Sequence, residues 1–452
     1  MQFSTCVGGL ALSNGADLDS LMASWRTSQN LEPTAATNRR SRPQPQIPES
    51  SLWDGTTVLD PSTYRSQKLE MRFPSPNAEI CRQEWIQRLR ERLGDLVSAQ
   101  LRARDAESAR LDSEIFDKWL YACLSHRDTL PEHLVDKMDP LLSGDAVADA
   151  DAVLAQDLVR FGVADPSAIV DQLRIQCQRA IRAVMGAGRQ STGSKVRLTV
   201  QGDFTHLSSG KHRVKIRNEH YAKLEAMFQI VRDQFLPALF CLLLRYVSLS
   251  DTGMQAACNE SVFAALRDDF DVRMECFASP LNCFFVGQYC SLFPDLDVCF
   301  GSLGSFFRFF PSSGSYQANP PFVDEVIARM AAHMSQVLEA ASSPLSFTIV
   351  VPHKPVSAAW RSLRQHPLCR HHLLLKQSSH GFCEGAQHRR PTRYKISTCD
   401  TSVFFLQNDQ GSHSYEVTEP KLARLQAAFR SRHLDESRDD FRKRKRAKKS
   451  SD

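Results

Sequence analysis

The stretch Asn319-Pro320-Pro321-Phe322 constrains the fold of this chain more than any other. A proline lacks a backbone donor and pushes the residue before it out of the helical region. Two in succession hold Asn319 and Pro320 extended, so neither a helix nor a strand interior can run through them. Residues 315–318 read as a short strand. Residues 322–341 read as an amphipathic helix, with Val323, Ile327, Met330, Met334, Leu338 and Ala341 on one face. The tetrapeptide therefore sits in a strand-to-helix turn. In open α/β sheets such turns lie at the carboxyl ends of the strands, where ligands bind.

The pattern around it supports that setting. From 271 onward strands alternate with helices: a strand at 272–277, a helix at 283–293, and short strands at 298–300 and 306–310. A buried strand at 345–351 stops at Pro352. Segments 373–375, 394–396 and 403–406 complete the sheet, and 419–430 is a last helix. This order predicts a mostly parallel, doubly wound sheet. Upstream, 78–190 reads as helices, marked by Trp85, Ile86, Leu89, Leu93 and Leu96, then by Ile115, Phe116, Trp119 and Leu120. Arginines are plentiful there, and most read as solvated helix faces. Segments 196–200 and 212–216 alternate like a hairpin, 218–246 returns to helix, and a further helix spans 259–270. Four segments follow: a disordered or linker stretch at 1–77, in which Trp53 and Tyr64 are isolated aromatics able to pin it to the body; a helical domain at 78–190; a sheet domain at 191–430; and a basic disordered tail at 431–452.

Composition narrows the class. A hydrophobic share of 42% and a charged share of 24% are those of an ordinary globular protein, and no run is apolar enough to span a bilayer. The apolar patch near the N-terminus has no basic residue before it, unlike a signal peptide. The thirteen cysteines are scattered, several in apolar stretches, and read as reduced core residues. Net charge is +5, but Arg442 to Lys449 alone carries +7, which leaves the rest at −2. Any nucleic-acid site on the body must therefore be local. The tail reads as a nuclear-import signal or an RNA-attracting arm.

The tetrapeptide suits one chemistry. An amino group conjugated to a ring is a poor nucleophile because its lone pair is delocalised. An acceptor such as the Asn319 carboxamide oxygen, holding an N–H, helps draw that nitrogen toward tetrahedral geometry. Phe322 offers a flat face for stacking a base. Asn319-Pro320-Pro321-Phe322 resembles the motif Asn/Asp-Pro-Pro-aromatic of S-adenosylmethionine-dependent amino-methyltransferases. Such an enzyme commonly has an acidic residue ending its first strand and a tight small-residue turn. Glu275-Cys276-Phe277-Ala278-Ser279-Pro280-Leu281-Asn282 fits that slot without the usual glycine, and Asn282 is placed to cap the next helix. Phe300-Gly301-Ser302 supplies a second turn, with Asp295 and Asp297 before it as candidates for a ribose hydroxyl.

A closer resemblance rests on Glu275 to Phe285, Gln288-Tyr289-Cys290-Ser291, Phe293-Pro294-Asp295, Phe300-Gly301-Ser302, Ser315 to Phe322, Pro344 to Phe347 and Phe405 to Asp409, with Gln387-His388 near the end of the sheet. These look like the phosphorylated-CTD-interacting factor family, the cap-specific adenosine N6-methyltransferases. The likeness runs over about 195–430 and more loosely over 79–185. It implies a Rossmann-like class I methyltransferase sheet with an N-terminal helical domain. It also implies S-adenosylmethionine as cofactor and methyl transfer to N6 of the cap-adjacent, usually 2′-O-methylated, adenosine of nuclear mRNA beside 7-methylguanosine. By the same resemblance Asn319, Pro320, Pro321 and Phe322 are catalytic, and Glu275, Phe277, Ala278, Ser279, Pro280, Asn282, Phe300, Gly301 and Ser302 bind the cofactor.

This chain departs from the family twice. Residues 1–77 lack the paired tryptophans of a WW domain, which weakens the expectation of binding the RNA polymerase II C-terminal domain. His353-Lys354 stands where relatives can carry an acidic residue and an aromatic. Two other functions remain open, an inactive RNA or transcription-complex adaptor and an N6-adenine methyltransferase with a non-cap target. Cys369, His371, His372, His380, Cys383 and His388 match no standard zinc spacing, and no metal is expected.

Overall fold

The computed structural model describes residues 52–66, 75–101, 106–127, 139, 141–142, 148–189, 195–249, 254–390 and 393–430. The basic run at 442–449 and most of 1–77 lie outside them.

Four helices come first: α1 (Pro76–Gln100), α2 (Ala106–Arg127), α3 (Ala148–Arg160) and α4 (Pro166–Arg189). Ser75 caps α1 by accepting from the Ala78 amide. Ile86, Leu89, Leu93 and Val97 make one buried stripe of that helix at steps of three and four. A three-stranded antiparallel meander follows, β1 (Arg197–Gln201), β2 (Phe204–Ser209) and β3 (His212–Arg217). The two segments expected to pair as a hairpin are thus its outer strands, and β2 lies between them. The helix expected over 218–246 is two, α5 (Asn218–Met227) and α6 (Phe235–Ser248). Helix α6 is buried nearly all round, which makes it a central rod and not a surface element. Helix α7 (Glu260–Phe270) is capped by Asn259 and ends at Asp271, a non-glycine residue with φ of 54°.

The central sheet holds β4 (Val272–Ala278), β5 (Tyr289–Ser291), β6 (Gly314–Ala318), β7 (Leu345–Pro352), β8 (Cys369–Leu375) and β11 (Thr401–Gln407), in the order β5-β4-β6-β7-β11-β8. Strand β11 runs antiparallel to both neighbours; the pairings among β5, β4, β6 and β7 are parallel. Strands β9 (Gly381–Cys383) and β10 (Tyr394–Ile396) form a separate ladder, so 394–396 does not complete the sheet as expected. The helix expected at 283–293 is absent. The amides of Phe284 and Phe285 are drawn to the Glu275 carboxylate, and Tyr289 is drawn into parallel pairing with Glu275, so the chain is extended there. The expected strands at 298–300 and 306–310 are mainly short 3-10 turns.

Period-two alternation divides the strand side chains between two cores. Phe347, Ile349, Val351, Phe404 and Leu406 face a core filled by helix α8 (Asp324–Ala340), helix α9 (Ala358–Arg364) and the N-terminal helices. Val350, Val403 and Phe405 face the opposite core with α7 and helix α10 (Glu419–Phe429). The N-terminal helices therefore share a core with the sheet. Residues 52–66, within the expected linker, also dock: Trp53 is buried and Asp54 bridges to Phe285.

A buried ionic chain joins the helical part to the sheet. Arg245 of α6 contacts Glu79 of α1 at 2.8 Å and Asp295 at 3.0 Å, while Arg82 contacts Glu79 at 2.7 Å and Asp139 at 2.9 Å. Removing one member leaves its partners desolvated and unpaired. Arg245→Met should cost about 3 kcal/mol, the low end for breaking a buried pair, because Arg82 still neutralises Glu79. The expected result is a lower urea midpoint with an unchanged slope.

Candidate active site

Parallel pairing of β4 with β6 sets Val272 opposite Ser315 and Glu275 opposite Gln317. The turns leaving these two strands consequently lie side by side at the carboxyl edge. Between them opens a cavity lined by Cys276, Phe277 and Ala278 at the end of β4 and Ser279 and Asn282 after it, by Ser291 and Leu292 at the end of β5, and by Asn319, Pro321 and Val326 after β6. Ser305, Phe306 and Phe307 close another side. Tyr121 and Ser125 of α2 and Tyr246 of α6 complete it, so the helical region supplies part of the wall.

A second cavity of about 1390 Å³ adjoins it, sharing Tyr246, Met254, Gln255 and Ala256. Phe322 faces this second space, as do Phe382 to Ala386, His388, Arg389, Arg390 and Lys395 to Cys399. The tetrapeptide thus straddles a boundary: Asn319 and Pro321 line the smaller cavity and Phe322 the larger.

The common wall is residues 255–257, held at three successive carbonyls. Gln255 O accepts from Asn282 Nδ2 at 3.1 Å, Ala256 O from Asn319 Nδ2 at 2.7 Å, and Ala257 pairs with Cys383 in both directions. Gly385 packs so tightly here that a Cβ would fall 2.5 Å from the Gln255 Cβ and 2.9 Å from its carbonyl oxygen. No spacing or motif announced this segment; it is an ordinary loop in sequence.

The Ala256 bond decides which way the Asn319 amide points. A carbonyl can only accept, so the amide nitrogen must face it. The carboxamide oxygen is then left buried without a hydrogen-bond partner among the described residues. Leaving a buried acceptor unpaired costs about 1–3 kcal/mol, and such an atom in a cavity wall is suited to meeting a ligand donor. Pro321 O accepts from Val323 N at 2.7 Å, closing the tight turn ahead of α8.

The expected cofactor residues divide into two groups. Phe277, Ala278, Ser279 and Asn282 line the smaller cavity. Asn282 caps no helix; its Oδ1 accepts from the Ser279 amide at 2.7 Å and hydroxyl at 2.8 Å, which shapes the turn around Pro280. Glu275, Pro280, Phe300, Gly301 and Ser302 are not among the lining residues. The carboxylate of Glu275 is buried and occupied by the Phe284 and Phe285 amides at 2.6 and 3.0 Å. Phe300 is buried against Phe228, its carbonyl accepting from the Tyr289 hydroxyl at 2.8 Å. Gly301 takes a left-handed turn, with φ of 85°. Ser302 reaches the cavity only through Ser291, 2.7 Å away. Asp295 is paired with Arg245, and Asp297 is buried with the Tyr246 hydroxyl donating to it at 2.6 Å, so neither carboxylate lines the space. Burial holds the Asp297 carboxyl up at about 7.

The histidines examined for zinc have other partners. His380 bonds to Thr401 and the Lys376 carbonyl, and His372 to Ser402 while stacking on Phe404. Gln387 accepts from Arg393, and His388 borders the larger cavity. His353 bonds to Ser402, and Lys354 pairs with Asp324 at the start of α8.

Ala278, Ser279 and Asn282, the Ser291 and Ser305 side chains and the aromatic rings Phe277, Phe306 and Phe307 provide small, polar and flat surfaces in one cavity. The sheet order, with one antiparallel strand inserted beside the last, together with Asn-Pro-Pro-Phe at its carboxyl edge, defines a Rossmann-like class I methyltransferase fold. Residues 217–385 match the family model described as phosphorylated CTD interacting factor 1 WW domain. In this chain those residues run from the end of β3 into the turn after β9. Over that region the chain is similar to the phosphorylated CTD interacting factor family. It is 38% identical over 234 residues to a human protein named mRNA (2′-O-methyladenosine-N(6)-)-methyltransferase, and 37% identical over 234 residues to the mouse protein of that name. Each alignment covers 48% of this chain and 33% of the relative, so the chain spans about a third of the length of these curated relatives.

Burial pushes the Glu275 carboxyl up to about 8 against the pull of the two amides that favour its ionised form. The folded chain then keeps a proton there that the unfolded chain loses near 4.5. The resulting stability is complete below that lower value and is lost as pH rises toward about 8, by at most about 1.4 kcal/mol per pH unit. Glu275→Gln should flatten this slope. Urea midpoints of wild type and variant between about pH 4.5 and 8 should converge or cross as pH rises. Parallel curves would show that Glu275 is ionised when buried.

Proposed function

We propose that this chain transfers a methyl group from S-adenosylmethionine to N6 of the cap-adjacent adenosine of mRNA. The observation that carries the proposal is the Asn319 carboxamide at the boundary of two cavities, its nitrogen tied to Ala256 and its oxygen without a hydrogen-bond partner among the described residues. The names of the human and mouse relatives support the same reaction and target. When bound, S-adenosylmethionine supplies a methyl carbon on a positively charged sulfur that keeps the electron pair as the bond breaks. Phe277, Ala278, Ser279, Asn282 and Ser291 would hold it in the smaller cavity.

The chain's own residues act on the nucleotide. Phe322 in the larger cavity gives the adenine a stacking face. Asn319 Oδ1 accepts an N6–H, which pulls the nitrogen lone pair out of conjugation and aims it across the boundary. The N6–C bond forms with that pair, and the surplus N6 proton leaves to water on the side of the larger cavity. A cap-adjacent nucleotide is terminal and unpaired, so splaying its base costs little. The basic run at 442–449 supports nuclear import, and the matching family's description supports contact with the phosphorylated polymerase tail.

Transfer of labelled methyl to capped RNA beginning with adenosine tests the proposal. Asn319→Ala should lower kcat/KM on the order of 100-fold, the scale for one aligned hydrogen bond in a transition state. Phe322→Gly should weaken transfer by removal of the stacking face. Uncapped RNA of the same sequence should be a poor substrate. Equal transfer to capped and uncapped RNA would move the target to internal adenines, and an inert wild type that binds capped RNA would make the chain an adaptor.

A further inference from the structure

The meander has no part in the cavities described above, yet its sequence is strongly lopsided in charge. Residues 195–217 hold Lys195, Arg197, Lys211, Arg213, Lys215 and Arg217 against one acidic residue, Asp203, a balance of +5. The chain outside Arg442 to Lys449 is −2, so these 23 residues stand out from a nearly neutral body.

Strand register turns this composition into a surface. Gln201, Phe204 and Arg217 stand in one row across the three strands, Thr199, His206 and Lys215 in the next, and Arg197, Ser208 and Arg213 in the third. Their alternates, Leu207, Val214 and Ile216, are buried against the body. The nine therefore share the outer face. Arg197, Arg213 and Lys215 are exposed and have no ion-pair partner among the described residues. Lys215 and Arg217 lie over the Phe204 ring, at 4.6 and 5.7 Å from its centroid, which holds both cations at one end of the face. Arg217 also has Glu219 at 3.7 Å.

That end meets the larger cavity. The Arg217 amide donates to the His388 carbonyl at 2.7 Å, and His388, Arg389 and Arg390 border the space that Phe322 faces. The third row lies about 13 Å further out, four residues along a strand. Basic residues two apart on one strand form a line about 6.6 Å in step. A single strand of RNA leaving the larger cavity meets this line edge-on, with phosphates against cations.

We propose that the outer face of the meander is the track for the RNA chain downstream of the methylated nucleotide. It recognises phosphates, not base sequence, and so sets affinity for long transcripts without touching the chemistry. The inference rests on the reading of the chain as an RNA methyltransferase. It assigns the binding of the RNA body to the meander and not to the arginines of the helical region. Three of those, Arg82, Arg90 and Arg174, are already paired with Asp139, Asp117 and Asp151.

The test uses the full chain and the triple variant Arg197→Glu, Arg213→Glu, Lys215→Glu, all exposed sites. The substrates are a capped dinucleotide and a capped RNA of about fifteen nucleotides, within the span of single-strand sites. The variant should raise KM for the long RNA roughly tenfold, leave kcat unchanged, and leave the dinucleotide unaffected. Its slope of log affinity against log salt, by anisotropy of labelled long RNA, should fall by about 2, the share of three phosphate contacts. Arg179→Glu with Arg182→Glu, exposed on α4, is the control and should change neither reading. An unchanged KM and salt slope in the triple variant, or the same loss in the control, would overturn the track. If wild type methylates neither RNA, the enzymatic reading fails instead, and the salt slope alone decides whether the meander binds RNA.

Discussion

The site depends on one parallel strand pairing. Glu275 opposite Gln317 brings the ends of β4 and β6 to the same edge of the sheet and the same height. Both turns then face one cavity, although the two segments are separated in sequence by β5 and the 3-10 turns. A parallel ladder needs a covered crossover and burial on both faces. The two cores provide it, one with α7 and α10, the other with α8, α9 and the N-terminal helices. The buried Arg245 chain extends the same arrangement outward, because it ties α1 and α6 to the residues just past β5.

Polarity in the site is spent on shape as much as on ligand contact. Glu275 organises the irregular stretch before β5, Asn282 folds the turn around Pro280, and Asn319 is oriented by a backbone carbonyl. Of these, Asn319 Oδ1 stands in a cavity wall with no partner among the described residues. Glu275 stands on β4 where the resemblance implies a cofactor contact, but its carboxylate is held by the Phe284 and Phe285 amides.

Much of the architecture was legible from residues alone. Period-two alternation and the apolar run of β7 predicted buried strands, and the three-to-four spacing after Phe322 predicted α8. The errors share one cause. Residues 283–293 are apolar enough for a helix, but amides bound by Glu275 and pairing to β4 override that local preference. Segment 394–396 has strand character but finds β9 in place of the sheet. The partner of a short strand is a long-range fact, and propensity carries no record of it.

The sequence by itself determined the strand–turn–helix around Asn319, because two prolines and an amphipathic period act over a few residues. It also placed the small residues Ala278 and Ser279 in a turn, and it concentrated charge in 195–217. Only the tertiary structure decided that the Glu275 carboxylate is held by two backbone amides, that residues 255–257 stand between two cavities, and that Tyr121, Ser125 and Tyr246 of the helical part line the site. Those outcomes come from atoms far apart in the chain, whose contacts follow from strand order and core packing and leave no local pattern to read.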